Sequence, residues 1–72
     1  MTIQEFVSAL ANELDIESEL TPATQFKELP EWSSLSVMEL IVLADHEFSK
    51  TIKPTDILRC DTVEDLYHLL SA

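Results

Sequence analysis

Seventy-two residues make one small domain, of a size that buries only about 60% of the surface its unfolded chain exposes. The 46% hydrophobic content is enough for one core, and the absence of glycine argues against hairpins, phosphate-cradling loops and flexible linkers. Fourteen acids against four bases give a net charge of −10, which excludes nucleic acid and anionic lipid as natural partners and favours basic protein surfaces.

That charge is spread along the whole chain, since residues 1–31 hold seven acids and one base and residues 32–72 seven acids and three bases. Cys60 is the only cysteine, so an internal disulfide and a thiolate metal site are both ruled out, and a reducing cytoplasm fits. The start Met1-Thr2-Ile3-Gln4-Glu5 has neither a basic region nor a long apolar run. No stretch approaches the ~18 consecutive apolar residues of a membrane span, so no membrane insertion is expected.

Thr2-Ile3-Gln4-Glu5 has the form of a capping box, and Ile3, Phe6, Val7, Leu10 and Leu14 repeat behind it at helical spacing. A first helix is predicted from Ile3 to Leu14. Thr21-Pro22 lies beyond its end, because proline lacks the backbone donor and turns the preceding residue away from helix. Residues 15–32 then form a connection longer than the ~12–15 residues usual for a structureless loop. Ile16, Leu20, Phe26, Leu29 and Trp32 are its expected anchors, with a short helical turn within Thr24–Leu29 and Trp32 as a lid over the end of the bundle.

A second helix is predicted from Ser34 to Phe48, with Ser33 as N-cap. Ser36-Val37-Met38-Glu39 offers a second capping box, which would start the helix later. On a wheel of about 100° per residue this helix has two apolar stripes. Val37, Leu40, Ile41, Ala44 and Phe48 form one, suited to a core. Leu35, Met38 and Val42 form the other, beside Glu39 and His46, and it begins next to the Ser34 hydroxyl. Either the bundle wraps that second stripe or it is a docking face; a docking face is expected, with Glu39 and Asp45 supplying flanking charge.

Pro54 confines the next helical segment to a short piece within Thr51–Leu58. Asp61-Thr62, with Asp65 three residues after Thr62, opens a last helix along which Val63, Leu66, Tyr67 and Leu70 repeat. The expected fold class is all-α: a small four-helix bundle of three main helices and a short third, with a long loop between the first and second.

Candidate chemistry is sparse. Ser34, Asp45 and His46 would suggest a hydrolase, but twelve residues of helix separate Ser34 from His46 by about 18 Å, far beyond a hydrogen bond. His46 then reads as a surface residue of the docking side. His68 could approach from the last helix, yet nothing supplies an oxyanion hole. No calcium-loop spacing occurs among the acids, so no metal site is expected. Cys60, between Arg59 and Asp61, reads as a partly buried small hydrophobe. No catalytic residue is assigned, and the protein is not expected to be an enzyme.

Ser33-Ser34-Leu35 opening an acidic helix, followed by Glu39-Leu40, Glu47-Phe48 and Thr62-Val63-Glu64-Asp65-Leu66, resembles the acyl carrier proteins and the related peptidyl carrier domains. The resemblance runs over nearly the whole chain. It implies that a phosphopantetheinyl transferase attaches 4'-phosphopantetheine to the serine of an Asp-Ser-Leu motif, which matches Ser34, with Ser33 and Leu35 as its flanking positions. It further implies a carrier that takes an acyl or aminoacyl group from a loading ligase and presents it to an accepting enzyme, as in lipid or polyketide biosynthesis; a cytoplasmic location, from the lone cysteine, and a monomer are expected beside it. Ser33 stands where the family has aspartate, and Ser36 where an acid is also frequent. These departures keep an alternative open, an unmodified carrier-like module that serves only as an acidic docking subunit.

Overall fold

The computed structural model describes residues 1–72 and is entirely helical: α1 (Ile3–Glu13), a 3-10 turn (Phe26–Glu28), α2 (Ser34–Phe48), α3 (Pro54–Leu58) and α4 (Val63–Ser71). The expected all-α arrangement is therefore present, with three main helices, a short third and the long first loop. No helix is long and apolar enough to cross a membrane.

Each start follows from local chemistry. At α1, the Thr2 hydroxyl accepts the Glu5 amide at 3.2 Å while the Glu5 carboxylate accepts the Thr2 amide at 2.7 Å. Those bonds hold the Glu5 carboxyl below its usual range, the Thr2 backbone amide being the largest cause. Pro54 occupies the first turn of α3, where its missing N–H costs nothing. The stops are less usual in a chain without glycine. Leu14 caps α1 and is followed by Asp15 at φ 55°, while α2 ends on Ser49 at φ 50°, ψ 41°. Both are left-handed positions that glycine would fill more easily, and a short polar side chain tolerates them.

The core joins Phe6, Leu10 and Leu14 of the first segment to Leu40, Leu43 and Ala44 of α2 and to Val63, Leu66 and Leu70 of α4, with Phe26, Ile52, Ile57 and Cys60 closing it. Phe6 is its centre: Phe48 meets it edge-on at 5.8 Å between ring centroids and Tyr67 at 5.7 Å. Fully burying one such side chain stabilises a fold by roughly 1.5–3 kcal/mol. Cys60 is buried, donates weakly to the Asp56 carbonyl at 3.6 Å, and has its thiol pKa raised chiefly by that burial.

All five anchors expected for the long loop pack against this core: Phe26 is buried, and Ile16, Leu20, Leu29 and Trp32 are half-buried. Trp32 stacks edge-on against Phe26 at 4.9 Å, so it covers the core from the loop side. Polar ties complete the loop's attachment. Thr24 and Pro22 carbonyls accept the Val63 and Glu64 amides of α4 at 3.0 and 2.9 Å. Lys27 donates to the Leu58 carbonyl at 3.1 Å.

The two chain ends meet beside the C-terminal end of α2. The Tyr67 hydroxyl donates to the Met1 carbonyl at 2.7 Å, Lys50 donates to the Ala72 carbonyl, and Met1, Glu47, Phe48 and Ala72 share one open concavity.

Candidate functional site

The start of α2 is built by the six residues from Glu31 to Ser36. Ser33 is the N-cap by position, extended at φ −149°, ψ −179°, but its hydroxyl makes no capping bond. Its amide donates instead to the Ser36 hydroxyl at 3.1 Å, and the Ser36 amide returns to the Ser33 carbonyl at 3.0 Å. The expectation that the Ser33 hydroxyl caps the helix is thus corrected, and so is the later start through Ser36-Val37-Met38-Glu39. Ser36 lies in the first turn, only 2% exposed, and its hydroxyl also donates to the Glu31 carbonyl at 3.4 Å. A serine at the third helical position therefore does for α2 what a carboxylate does at α1 and α4.

Glu31 ties this turn to the distant start of the loop. Its carboxylate accepts the Glu17 amide at 3.1 Å, the Ser18 amide at 3.0 Å and the Ser18 hydroxyl at 2.9–3.0 Å. The Ser18 hydroxyl is the main reason its carboxyl sits below the usual carboxylate range. Because it bonds away from the helix axis into the loop, Glu31 anchors the backbone in front of Ser33.

Ser34 is the first residue of α2 and is exposed. The amides of Ser34 and Leu35 have no protein partner, and the first turn of α2 contains no acid, unlike those of α1, α3 and α4. The positive end of the α2 dipole is accordingly unneutralised beside a free hydroxyl, an environment that favours a phosphodiester's negative charge. A covalently tethered phosphate fits these residues.

From that hydroxyl the second apolar stripe runs along the outside of the bundle. Leu35 is 64% exposed, Met38 66% and Val42 46%, so the core does not wrap them. Glu39 is half-buried beside them, and Asp45 and His46 are exposed. The inner stripe is as expected for Leu40 and Ala44, while Val37, Ile41 and Phe48 pack on the core from a half-buried position. Leu43, which belonged to neither expected stripe, is buried in the same core cluster, because α2 packs against α1, α3 and α4 together and so buries a wider face than one neighbour would cover. No cluster of three or more potential metal ligands occurs.

No curated protein and no solved structure matches the chain. The profile of one family, described as phosphopantetheine attachment site, matches residues 4–70, which takes in α1, the long loop, α2, α3 and nearly all of α4. Domains of this kind are non-catalytic carriers that hold 4'-phosphopantetheine covalently and receive it from a phosphopantetheinyl transferase. With a match of that extent, on a helical frame whose second helix opens on an exposed serine, the chain belongs to the phosphopantetheine attachment site family.

Proposed function

We propose that residues 1–72 act as one acyl or aminoacyl carrier unit and that Ser34 is the residue that takes the arm. The observation that supports this most directly is the start of α2, where an exposed hydroxyl sits against unpaired amides with no carboxylate in the first turn. When bound, the arm supplies a thiol that holds the carried group as a thioester. The chain's own residues orient that attachment. Ser36 and Glu31 fix the turn, and Trp32 seals the core behind it.

Leu35, Met38 and Val42, with Glu39 and Asp45 beside them, form the docking face in this reading. Its partners are the phosphopantetheinyl transferase, a loading ligase and an accepting enzyme, each with a basic rim that the net charge of −10 steers inward. The carrier works as a monomer in the cytoplasm, with Cys60 reduced. Ser33 in place of aspartate favours a second reading, an unmodified docking module. Incubation with coenzyme A, magnesium and a broad-specificity transferase is expected to add one phosphopantetheinyl group by intact mass, and Ser34→Ala to add none. No addition, under conditions that convert a standard carrier, decides for the module.

A further inference from the structure

The acids of this chain are spread along it, but its four bases are not. Residues 49–60 hold three of the bases, Lys50, Lys53 and Arg59, against one acid, Asp56, for a local charge of +2. The other sixty residues hold one base and thirteen acids, for a charge of −12. That last base, Lys27, is brought to the same place by the long loop: its ammonium donates to the Leu58 carbonyl at 3.1 Å and stands 3.9 Å from Asp61.

With so large an excess of carboxylates, every exposed base would be expected to find a partner. Lys53 and Arg59 are exposed, and neither is in an ion pair. The acids nearest in sequence are engaged elsewhere. The Asp56 carboxylate accepts the Lys53 amide at 2.9 Å, Asp61 faces Lys27, and Asp65 accepts the Asp61 and Thr62 amides. Lys53 and Arg59 are the two caps of α3, about 9 Å of helical rise apart. Between them α3 turns Ile57 into the core and leaves Pro54, Thr55 and Leu58 outside. Leu58, at 67%, is the most exposed large hydrophobic residue of the chain, ahead of every member of the α2 stripe.

We propose that the outer face of α3 is a second docking surface, and that its occupant is an amphipathic helix of another protein whose leucine-lined stripe is edged by carboxylates. Leu58 enters as a knob between apolar residues of that helix, while acids one to two turns apart on its edge meet Lys53 and Arg59. A basic partner is disfavoured, since it would bring its own cations against these two. An extended polyanion is disfavoured as well, because it would run past this small face and meet the −12 of the remaining surface. A short helix makes its contacts within a Debye length of about 8 Å, beyond which that charge is screened. The face is opposite in sign to the α2 stripe with Glu39 and Asp45, so the two surfaces select different partners, and the second works whether or not Ser34 carries an arm.

The test titrates the 15N-labelled protein with two synthetic amphipathic helical peptides that share one leucine-lined stripe, edged with glutamate in one and with lysine in the other. The glutamate-edged peptide is expected to shift the amides of Lys53, Thr55, Leu58 and Arg59 and to leave Leu35 and Met38 unmoved; the lysine-edged peptide should do the reverse. Leu58→Ala should weaken the first peptide about tenfold and leave the second unchanged, and Lys53→Gln combined with Arg59→Gln should do the same. Both variants alter exposed side chains only, and unchanged α4 amides verify their fold. The proposal is overturned if the glutamate-edged peptide leaves residues 53–59 unmoved, or if it binds parent and variants alike. Shifts at residues 53–59 that grow with the concentration of the protein alone would overturn it too, by making a second copy the occupant.

Discussion

The first turns of α2 and α4 begin with similar sequences and end in opposite chemical states. At α4 every early amide is taken: the Asp65 carboxylate accepts Asp61 and Thr62 at 3.0 and 3.1 Å, the Thr62 hydroxyl accepts Asp65 at 3.2 Å, and loop carbonyls accept Val63 and Glu64. Its first helical residue, Val63, is fully buried. At α2 a neutral serine replaces the carboxylate, two amides stay unpaired, and the first helical residue is the exposed Ser34. One end has been closed for stability. The other is held in shape by Ser36 without having its positive field cancelled, a state in which an anion at that end would be favoured.

Exchanging the two first residues should break this comparison most sharply. Val63→Ser removes buried methyl groups and places a hydroxyl in the core, a change expected to cost on the order of 2–3 kcal/mol. For a domain of this size each kcal/mol lowers Tm by roughly 4–8 °C. Ser34→Val is expected to stay within about 0.5 kcal/mol of the parent, as surface changes usually do, while phosphopantetheinylation disappears. Paired melting curves and intact masses check both halves. A similar stability loss at the two positions would show that the α2 start is as structural as that of α4.

A smaller effect is expected from the caps. Thr62→Ala should cost about 1 kcal/mol, the typical value for losing an N-cap hydroxyl, and shift the urea midpoint at unchanged slope. Ser33→Ala should shift it far less, because the Ser33 hydroxyl makes no capping bond. Comparable midpoint shifts for the two would restore Ser33 as the capping side chain.

Acid titration sharpens the contrast further. Amides of Asp61 and Thr62 hold the Asp65 carboxyl below its usual pKa, so the folded state binds that proton less readily than the unfolded chain. The stability this contributes is complete above the unfolded pKa of about 3.9 and is lost as pH falls through the lower folded value. Ser36 at the matching position of α2 does not titrate there. Asp65→Asn should flatten the fall in stability below about pH 4, while Ser36→Ala should lower stability by a similar amount at every pH. Equal acid slopes for parent and Asp65→Asn would contradict the assignment.

Ser33→Asp should have the smallest effect on folding. A charge near the helix start is worth about 0.3–1 kcal/mol when exposed. Restoring the residue usual in the family should raise the transferase rate with Tm nearly unchanged. Rates that match the parent's would show the aspartate to be dispensable here.

Much of this was legible in the sequence, for identifiable reasons. The bounds of α2 and its outer stripe could be read because Leu35, Met38 and Val42 repeat at helical spacing opposite a sufficient inner face. The loop anchors were legible as the apolar residues of a polar stretch. The part Ser36 plays at the Ser34 start was not legible, and its box with Glu39 stood as a second possible start, since a Ser-x-x-Ser pair lacks the acid by which a capping box is recognised. The Glu31 tie to Ser18 spans thirteen residues and depends on how the loop folds, so no local pattern announces it. Leu43 was missed for a similar reason, because the width of a buried helix face is set by neighbours distant in sequence.

The meeting of the two chain ends beside Glu47 and Phe48 bears on how the carrier can be tethered. Thirteen residues of α2 separate Ser34 from Glu47, on the order of 20 Å of helix. A polypeptide continued from Met1 or from Ala72 would leave the molecule near the foot of α2, and the approach to Ser34 would stay open. Fusing the protein by either end to a support, a reporter or a neighbouring domain should therefore leave the start of α2 facing outward, with the leash and the Ser34 hydroxyl at opposite ends of the same helix.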